Sequence, residues 1–203
     1  PTAEQMDHMK AELRKAMEAG CVGMSTGLVY LPGAYTSKEE LAELSKEMVP
    51  YNGFYVTHIR SEGDDEMEAI DEAIYIAKTA GVPLHVSHLK IMGKHNFGKI
   101  DQVFAKLDAA EKDGLDVRFD CYPYTAGMSS LGVLLPTWAF EGGVAPMLER
   151  IKVPENRARI IREMEEGLPG WNNFYKMSGG WDAITIASVM TEQNTYIAGR
   201  NIA

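Results

Sequence analysis

The chain has 203 residues, 29 acidic against 20 basic side chains, a formal charge of -9 and 45% hydrophobic residues. These values exclude a disordered or collagen-like chain. No apolar run reaches the roughly 18–20 residues of a membrane span, and an acidic chain without a Lys/Arg cluster is poorly suited to nucleic acid. Cys21 and Cys121 have no CxxC spacing and make no disulfide framework, so a reducing cytoplasm is expected, with both thiols in the core.

In chain order, Thr2 is placed to cap a helix whose apolar face is Met6, Met9, Leu13 and Met17, ending at Gly20. A short strand over 21–25 follows. Ser37-x-x-Glu40 reads as a capping box opening a helix with Leu41, Leu44 and Met48 inward, stopped at Pro50. Phe54 to Thr57 is a strand closed by His58. Asp64 and Asp65 favour a helix start, and Met67, Ile70, Ile74 and Ala77 recur at helical spacing up to Gly81. Val82 to Ser87 is a strand closed by His88. Ile100, Val103, Phe104 and Leu107 mark the next helix, Gly114 its end, and 115–119 a strand closed by Asp120. Beyond it the rhythm breaks into an irregular stretch around 125–180, interrupted by a helix opened by Pro154 with Ile160, Ile161 and Met164 inward. Residues 182–187 read as one more strand.

Strand ends at Ser25, His58, His88 and Asp120 lie 33, 30 and 32 residues apart. One strand and one helix in about 30 residues is the unit of a parallel β/α sheet. In such folds the chemistry sits at the carboxyl ends of strands, and the polar residues of this chain fall there. Two histidines closing consecutive strands lie about one strand spacing apart, roughly 5 Å. That serves a shared metal ion, a metal-free catalytic pair, or two polar strand caps, and spacing alone leaves all three open. His85 stands an odd number of residues from His88. It is expected on the opposite face, bonded to a neighbouring helix or loop. His95 reads as a solvated loop residue and His8 as surface.

Several local strings, in order and at matching intervals, are similar to the N-acyl-D-amino-acid deacylases (D-aminoacylases) of the amidohydrolase superfamily. They are Gly20-Cys-Val-Gly-Met-Ser-Thr-Gly-Leu-Val-Tyr-Leu-Pro-Gly33, Thr57-His-Ile-Arg-Ser-Glu-Gly63, Val86-Ser-His-Leu-Lys90, Asn96-Phe-Gly-Lys99 and Asp120-Cys-Tyr-Pro-Tyr124. Leu135-Pro-Thr-Trp138 and Glu141-Gly-Gly143 extend the series. The resemblance implies α/β architecture: parallel β/α units forming part of a TIM-like, metal-dependent hydrolase barrel. The implied reaction is hydrolysis of N-acyl-D-amino acids to a carboxylate and a D-amino acid. The implied metal is zinc, with His58 and His88 as ligands. Tyr30, Lys90, Tyr122, Ser129 and Ser130 match positions around the substrate, and Arg60 and Glu62 are expected as an ion pair supporting the His58 loop.

The pattern also departs from the family's. It implies a His-x-His pair, a ligand cysteine upstream of Gly20 and a general-base aspartate near the last barrel strand. No His-x-His occurs in the chain, and Asp182, at the start of an expected strand, is a poor match for the base. Residues 1–203 are therefore expected to be an internal piece of a barrel, about its fourth to seventh strands, with no catalytic base, weak zinc binding and no activity alone. The open sheet edges favour self-association. A non-catalytic truncated or self-associating product is the alternative in a different class. A cyclic amidohydrolase of hydantoinase or dihydroorotase type is the alternative enzyme, but no lysine stands at a strand end to serve as its bridging ligand.

Overall fold

The computed structural model describes residues 1–203, which divide into two compact units. The first comprises Pro1–Ile91 and Asn96–Tyr122, the second Met92–His95 and Pro123–Ala203.

The first unit alternates helix and strand: α1 (Ala3–Glu18), β1 (Gly23–Gly27), α2 (Lys38–Ser45), β2 (Phe54–His58), α3 (Glu66–Ala80), β3 (Leu84–Val86), α4 (Ile100–Lys112) and β4 (Val117–Phe119). Thr2 caps α1 through a complete box: its hydroxyl accepts the Gln5 N–H, and the Gln5 side chain accepts the Thr2 N–H. Ser37 likewise accepts the Glu40 N–H at the start of α2. Gly81 ends α3 at φ 75°, a left-handed conformation that glycine adopts without a Cβ clash.

The four strands form one parallel sheet in the order β1-β2-β3-β4. Parallel strands joined by helical crossovers are the construction of a β/α barrel, as the 30-residue rhythm implies. The core is continuous from α1 to β4, with Met48, Tyr55, Ile70, Ile76, Val86 and Val103 fully enclosed. Hydrogen bonding continues past the strand ends. Leu28 donates to the His58 carbonyl, Ser87 to that of Thr57 and Leu89 to that of Asp120. This extension brings the polar residues after each strand side by side.

The second unit contains α5 (Val144–Arg150), α6 (Pro154–Glu166), α7 (Phe174–Ser178) and several single 3-10 turns. Its core is smaller. Ala139, Ile160 and Met164 are buried against Leu134, Trp138, Ile151, Trp171 and Tyr175.

Four expectations fail. The strand over 182–187 is replaced by a 3-10 turn, Trp181–Ala183, and a lone antiparallel bridge from Thr185 to Asn201. Ile184 and Ile186 share three backbone hydrogen bonds with 199–202, a partner too short to extend the pairing into a strand. Cys21 and Cys121 are exposed, each lying just outside a strand. Phe104 and Ile161 face outward; Phe104 stacks on Phe119 at 5.8 Å instead of entering the core. Strands β1, β3 and β4 each begin two residues later than expected.

Candidate functional site

His58 closes β2 and His88 follows β3 by two residues. His88 has φ 40°, a left-handed conformation uncommon for a residue with a side chain. Asp120 holds it there. One carboxylate oxygen accepts the His88 N–H at 2.7 Å, and the other meets His85 Nε2 at 2.7 Å. The His85 bond is the main cause that holds the Asp120 carboxyl below its ordinary pKa, and the His88 N–H adds to it. His85 is thus bonded to Asp120, the residue that follows β4. The residue after β4 aims the imidazole after β3.

The two imidazoles converge. His58 Nδ1 lies 3.0 Å from His88 Nε2, with ring centroids 4.6 Å apart in an edge-to-face arrangement. Their outer nitrogens both turn to Glu62. Its Oε1 lies 3.0 Å from His88 Nδ1 and 3.7 Å from His58 Nε2. His58, Glu62 and His88 each place a ligand atom within 4.8 Å of the others. His58 Nε2 is buried and makes no hydrogen bond. A buried ring nitrogen without a partner is costly unless a ligand satisfies it. Burial is the largest influence on His58 and lowers its pKa, Glu62 opposing, so the ring is held neutral, the form that ligates. Two imidazoles and a carboxylate are a donor set that fits zinc.

Lys90 stands on the same atoms. Its ammonium lies 2.5 Å from Glu62 Oε1 and 2.9 Å from His88 Nδ1, and donates to the His88 carbonyl at 2.8 Å. Tyr30 packs its ring 5.2 Å from that of His58. Tyr122 lies 6.4 Å from the His88 ring and beneath the Lys90 ammonium at 5.4 Å. Burial first, and Glu62 second, push the Tyr122 hydroxyl up in pKa, so it stays a proton donor. The Tyr30 turn folds back so tightly that a Cβ on Gly33 would come within 2.8 Å of the Gly27 carbonyl oxygen.

Five of the expected residues therefore stand together: Tyr30, His58, Lys90, His88 and Tyr122. Arg60 and Glu62 do not pair. Arg60 grips Glu72 of α3 through Nε and Nη2 at 2.9 Å, and donates to the carbonyls of Ala34 and Thr36 at 2.7 Å each. It ties the Tyr30 turn to α3, while Glu62 turns to the histidines. Ser129 and Ser130 belong to the second unit, where Ser130 accepts the Val133 N–H and opens a 3-10 turn. His95 is in that unit too and is exposed.

Sequence reasoning placed Glu62 outside the metal site, and two histidines alone make a weak zinc shell. Its position four residues after His58 was the available signal. Glu66 gave none. In an acidic run opening a helix it reads as solvated, yet it is fully buried with neither carboxylate oxygen hydrogen-bonded. Burial first, and Glu62 second, push its pKa up to about 8.

Parallel β/α units with a candidate metal-donor set beyond their strand ends are the arrangement of part of a β/α barrel. The chain is 36% identical over 130 residues to the D-aminoacylase of Alcaligenes xylosoxydans xylosoxydans, covering 64% of this chain and 27% of that protein. A crystal structure of D-aminoacylase, described as defining a novel subset of amidohydrolases, superposes with a TM-score of 0.60 at 38% identity, over 63% of this chain and 27% of its own. The N-acyl-D-glutamate deacylase of Bordetella bronchiseptica, complexed with zinc and a phosphonate mimic of the tetrahedral intermediate, gives 0.60 and 38%, over 61% and 26%. No protein-family model matches the chain. Over the shared stretch the chain is similar to D-aminoacylase and N-acyl-D-glutamate deacylase, in line with the resemblance of its motifs. It spans about a quarter of the length of the relatives it matches. No helix is long and apolar enough to cross a membrane.

Proposed function

We propose that this chain forms the metal-binding and carboxylate-binding wall of an amidohydrolase acting on N-acyl-D-amino acids. Its four strands are assigned to about the fourth to seventh of a barrel. The observation that carries the reading is the convergence of His58, Glu62 and His88 around a buried, unpartnered imidazole nitrogen, with Lys90 and two tyrosines on the same wall. Similarity to deacylases, one of them complexed with zinc, supports it.

Bound zinc would lower the pKa of a water and polarise the scissile carbonyl. His58, neutral and buried, and His88, oriented by Asp120, would hold it with Glu62. The Lys90 ammonium suits the free carboxylate of an N-acyl amino acid, and the hydroxyls of Tyr30 and Tyr122 would add directional donors. Asp120, the aspartate nearest the histidines, is engaged by His85 and His88. No aspartate of this wall is therefore assigned as general base, and residues 1–203 alone are expected to be inactive. Ser129 and Ser130 remain substrate-binding candidates.

The test is hydrolysis of N-acetyl-D-methionine and N-acetyl-D-glutamate by the full-length gene product with zinc, beside the L-enantiomers. D-selective turnover lost in His58→Ala is expected. Lys90→Ala should raise KM about 10–100-fold, since a charge-assisted contact is worth about 1.5–3 kcal/mol. An unchanged KM would remove Lys90 from the substrate site. Turnover by residues 1–203 well above a His58→Ala/His88→Ala control would show that a base has been overlooked. Absence of turnover by the full-length protein on any N-acyl-D-amino acid would favour a non-catalytic product.

A further inference from the structure

We propose that Arg60 is a positioning residue for substrate binding, which acts through Tyr30 by pinning the turn that holds this tyrosine over His58. The inference rests on the reading of Tyr30 as a donor to the substrate.

Residues 28–36 follow β1 and lie outside any strand. Leu28 is the only one of them that is buried, so the turn has little core to hold its shape. Polar bonds do that instead, and they tie both ends of the turn to the same short piece of chain after β2. At the start, the Leu28 N–H donates to the His58 carbonyl at 3.0 Å. At the far end, Arg60 donates to the carbonyls of Ala34 and Thr36 at 2.7 Å each. The Ala34 N–H in turn donates to the Tyr30 carbonyl at 2.7 Å. A single residue therefore connects the guanidinium to the backbone of Tyr30.

The ring is placed as closely as the backbone. Gly27 pairs with His58 in the sheet, and a Cβ on Gly27 would come 3.0 Å from Tyr30 Cδ2. The missing side chain leaves the space in which the Tyr30 ring lies, 5.2 Å from the ring of His58. A turn that shifts carries that ring, and its hydroxyl, away from the histidines. Arginine suits the task because its donors are fixed in one plane. Nε and Nη2 take the two oxygens of Glu72 at 2.9 Å each, while Nη1 and Nη2 reach the two carbonyls. Glu72 belongs to α3, so the turn is fastened to a helix of the core. A lysine has all its donors on one atom and cannot span a carboxylate and two carbonyls in this way. Glu72 also offsets the charge of Arg60 at contact distance, which leaves geometry, not attraction of an anion, as what the guanidinium supplies.

The test uses the full-length gene product with zinc and N-acetyl-D-methionine. Its variants are Tyr30→Phe, Arg60→Gln, Arg60→Lys, Glu72→Gln and the double variant Arg60→Gln/Tyr30→Phe, with circular dichroism confirming each fold. Arg60→Gln should raise KM about tenfold and leave kcat and zinc content within about twofold. Arg60→Lys should behave like Arg60→Gln, and Glu72→Gln, which spares the carbonyl bonds, should raise KM by less. The double variant should match the larger of its two single effects, since a residue that acts through Tyr30 has nothing further to lose once the hydroxyl is gone. Without any turnover, amide hydrogen exchange of Arg60→Gln should be several-fold faster over 28–36 and unchanged in β3 and α4. KM effects that multiply in the double variant would overturn the inference. So would a wild-type KM in Arg60→Lys, loss of zinc from Arg60→Gln, or unchanged exchange over 28–36. Should the Arg60 variants fail to fold, Glu72→Gln decides by itself, an unchanged KM overturning the inference. If the wild-type protein hydrolyses no N-acyl-D-amino acid, the reading of the site falls, and the inference with it; failures beside an active wild type count against Arg60 alone.

Discussion

The two units of this chain are built by different rules. In the first, every strand pairs with a parallel neighbour and the helices between strands bury one apolar cluster running from Met17 to Leu115. In the second, short helices and single turns gather around Ala139, Ile160 and Met164, and side chains do much of the joining. Trp138 donates to Glu163 at 2.5 Å, Arg159 stacks over Trp138 at 4.0 Å, and Asn173 donates to the Met164 carbonyl at 2.8 Å. The difference teaches where a site can be placed with accuracy. A parallel sheet fixes the ends of its strands through a shared hydrogen-bond ladder, and the candidate metal donors follow those ends. A unit held by individual contacts has no such common reference.

The comparison breaks first at the metal donors. If the ladder does the placing, replacing a donor should cost far more than disturbing its surroundings. His58→Ala and His88→Ala are each expected to lower zinc affinity by at least about 100-fold, measured with a competing chelator. Losses below tenfold would mean that the sheet does not hold a metal site.

The second comparison concerns the cores. Ile70 is fully enclosed in the first unit, and Ile70→Ala should cost about 2–5 kcal/mol in urea unfolding, because a large rigid core cannot close the cavity. Ile160→Ala in the smaller cluster should cost about 2 kcal/mol or less. Equal losses would erase the distinction between the units.

A third measurement asks what the first unit tolerates near its site. The folded pKa of Glu66, pushed up to about 8, lies above its ordinary value of 4.5. The folded protein therefore keeps a proton that the unfolded chain releases. Stability should fall as pH rises from about 4.5 to about 8, and level off above that. Glu66→Gln should remove this slope and stabilise the chain at pH 7 by about 2–4 kcal/mol. An unchanged slope would show that Glu66 is solvated or paired in solution.

The smallest effect belongs to surface ion pairs between helices. Lys106 and Asp71 meet at 2.6 Å, with the aspartate side chain 59% exposed. Asp71→Ala should change stability by no more than about 0.5 kcal/mol in thermal unfolding. A larger loss would mean that surface pairing, not the core, sets the first unit apart.

The sequence by itself determined the β/α rhythm, the caps at Thr2 and Ser37, and the arrival of His58 and His88 at neighbouring strand ends. These follow from local periodicity, which a chain carries with it whatever it packs against. The tertiary structure decided the rest. Arg60 and Glu62 are two residues apart but part company, because Glu72 across the turn offers Arg60 a two-pronged carboxylate and the histidines offer Glu62 a buried one. Glu66 is enclosed because α3 turns its first residue inward, which an acidic helix start does not announce. Residues 182–187 alternate like a strand, but their neighbour is the short stretch 199–202, which pairs with Ile184 and Ile186 over too few residues to make one. In each case the outcome depends on which element lies alongside. Burial and the choice of partner are properties of that neighbourhood, and residue spacing along the chain does not encode them.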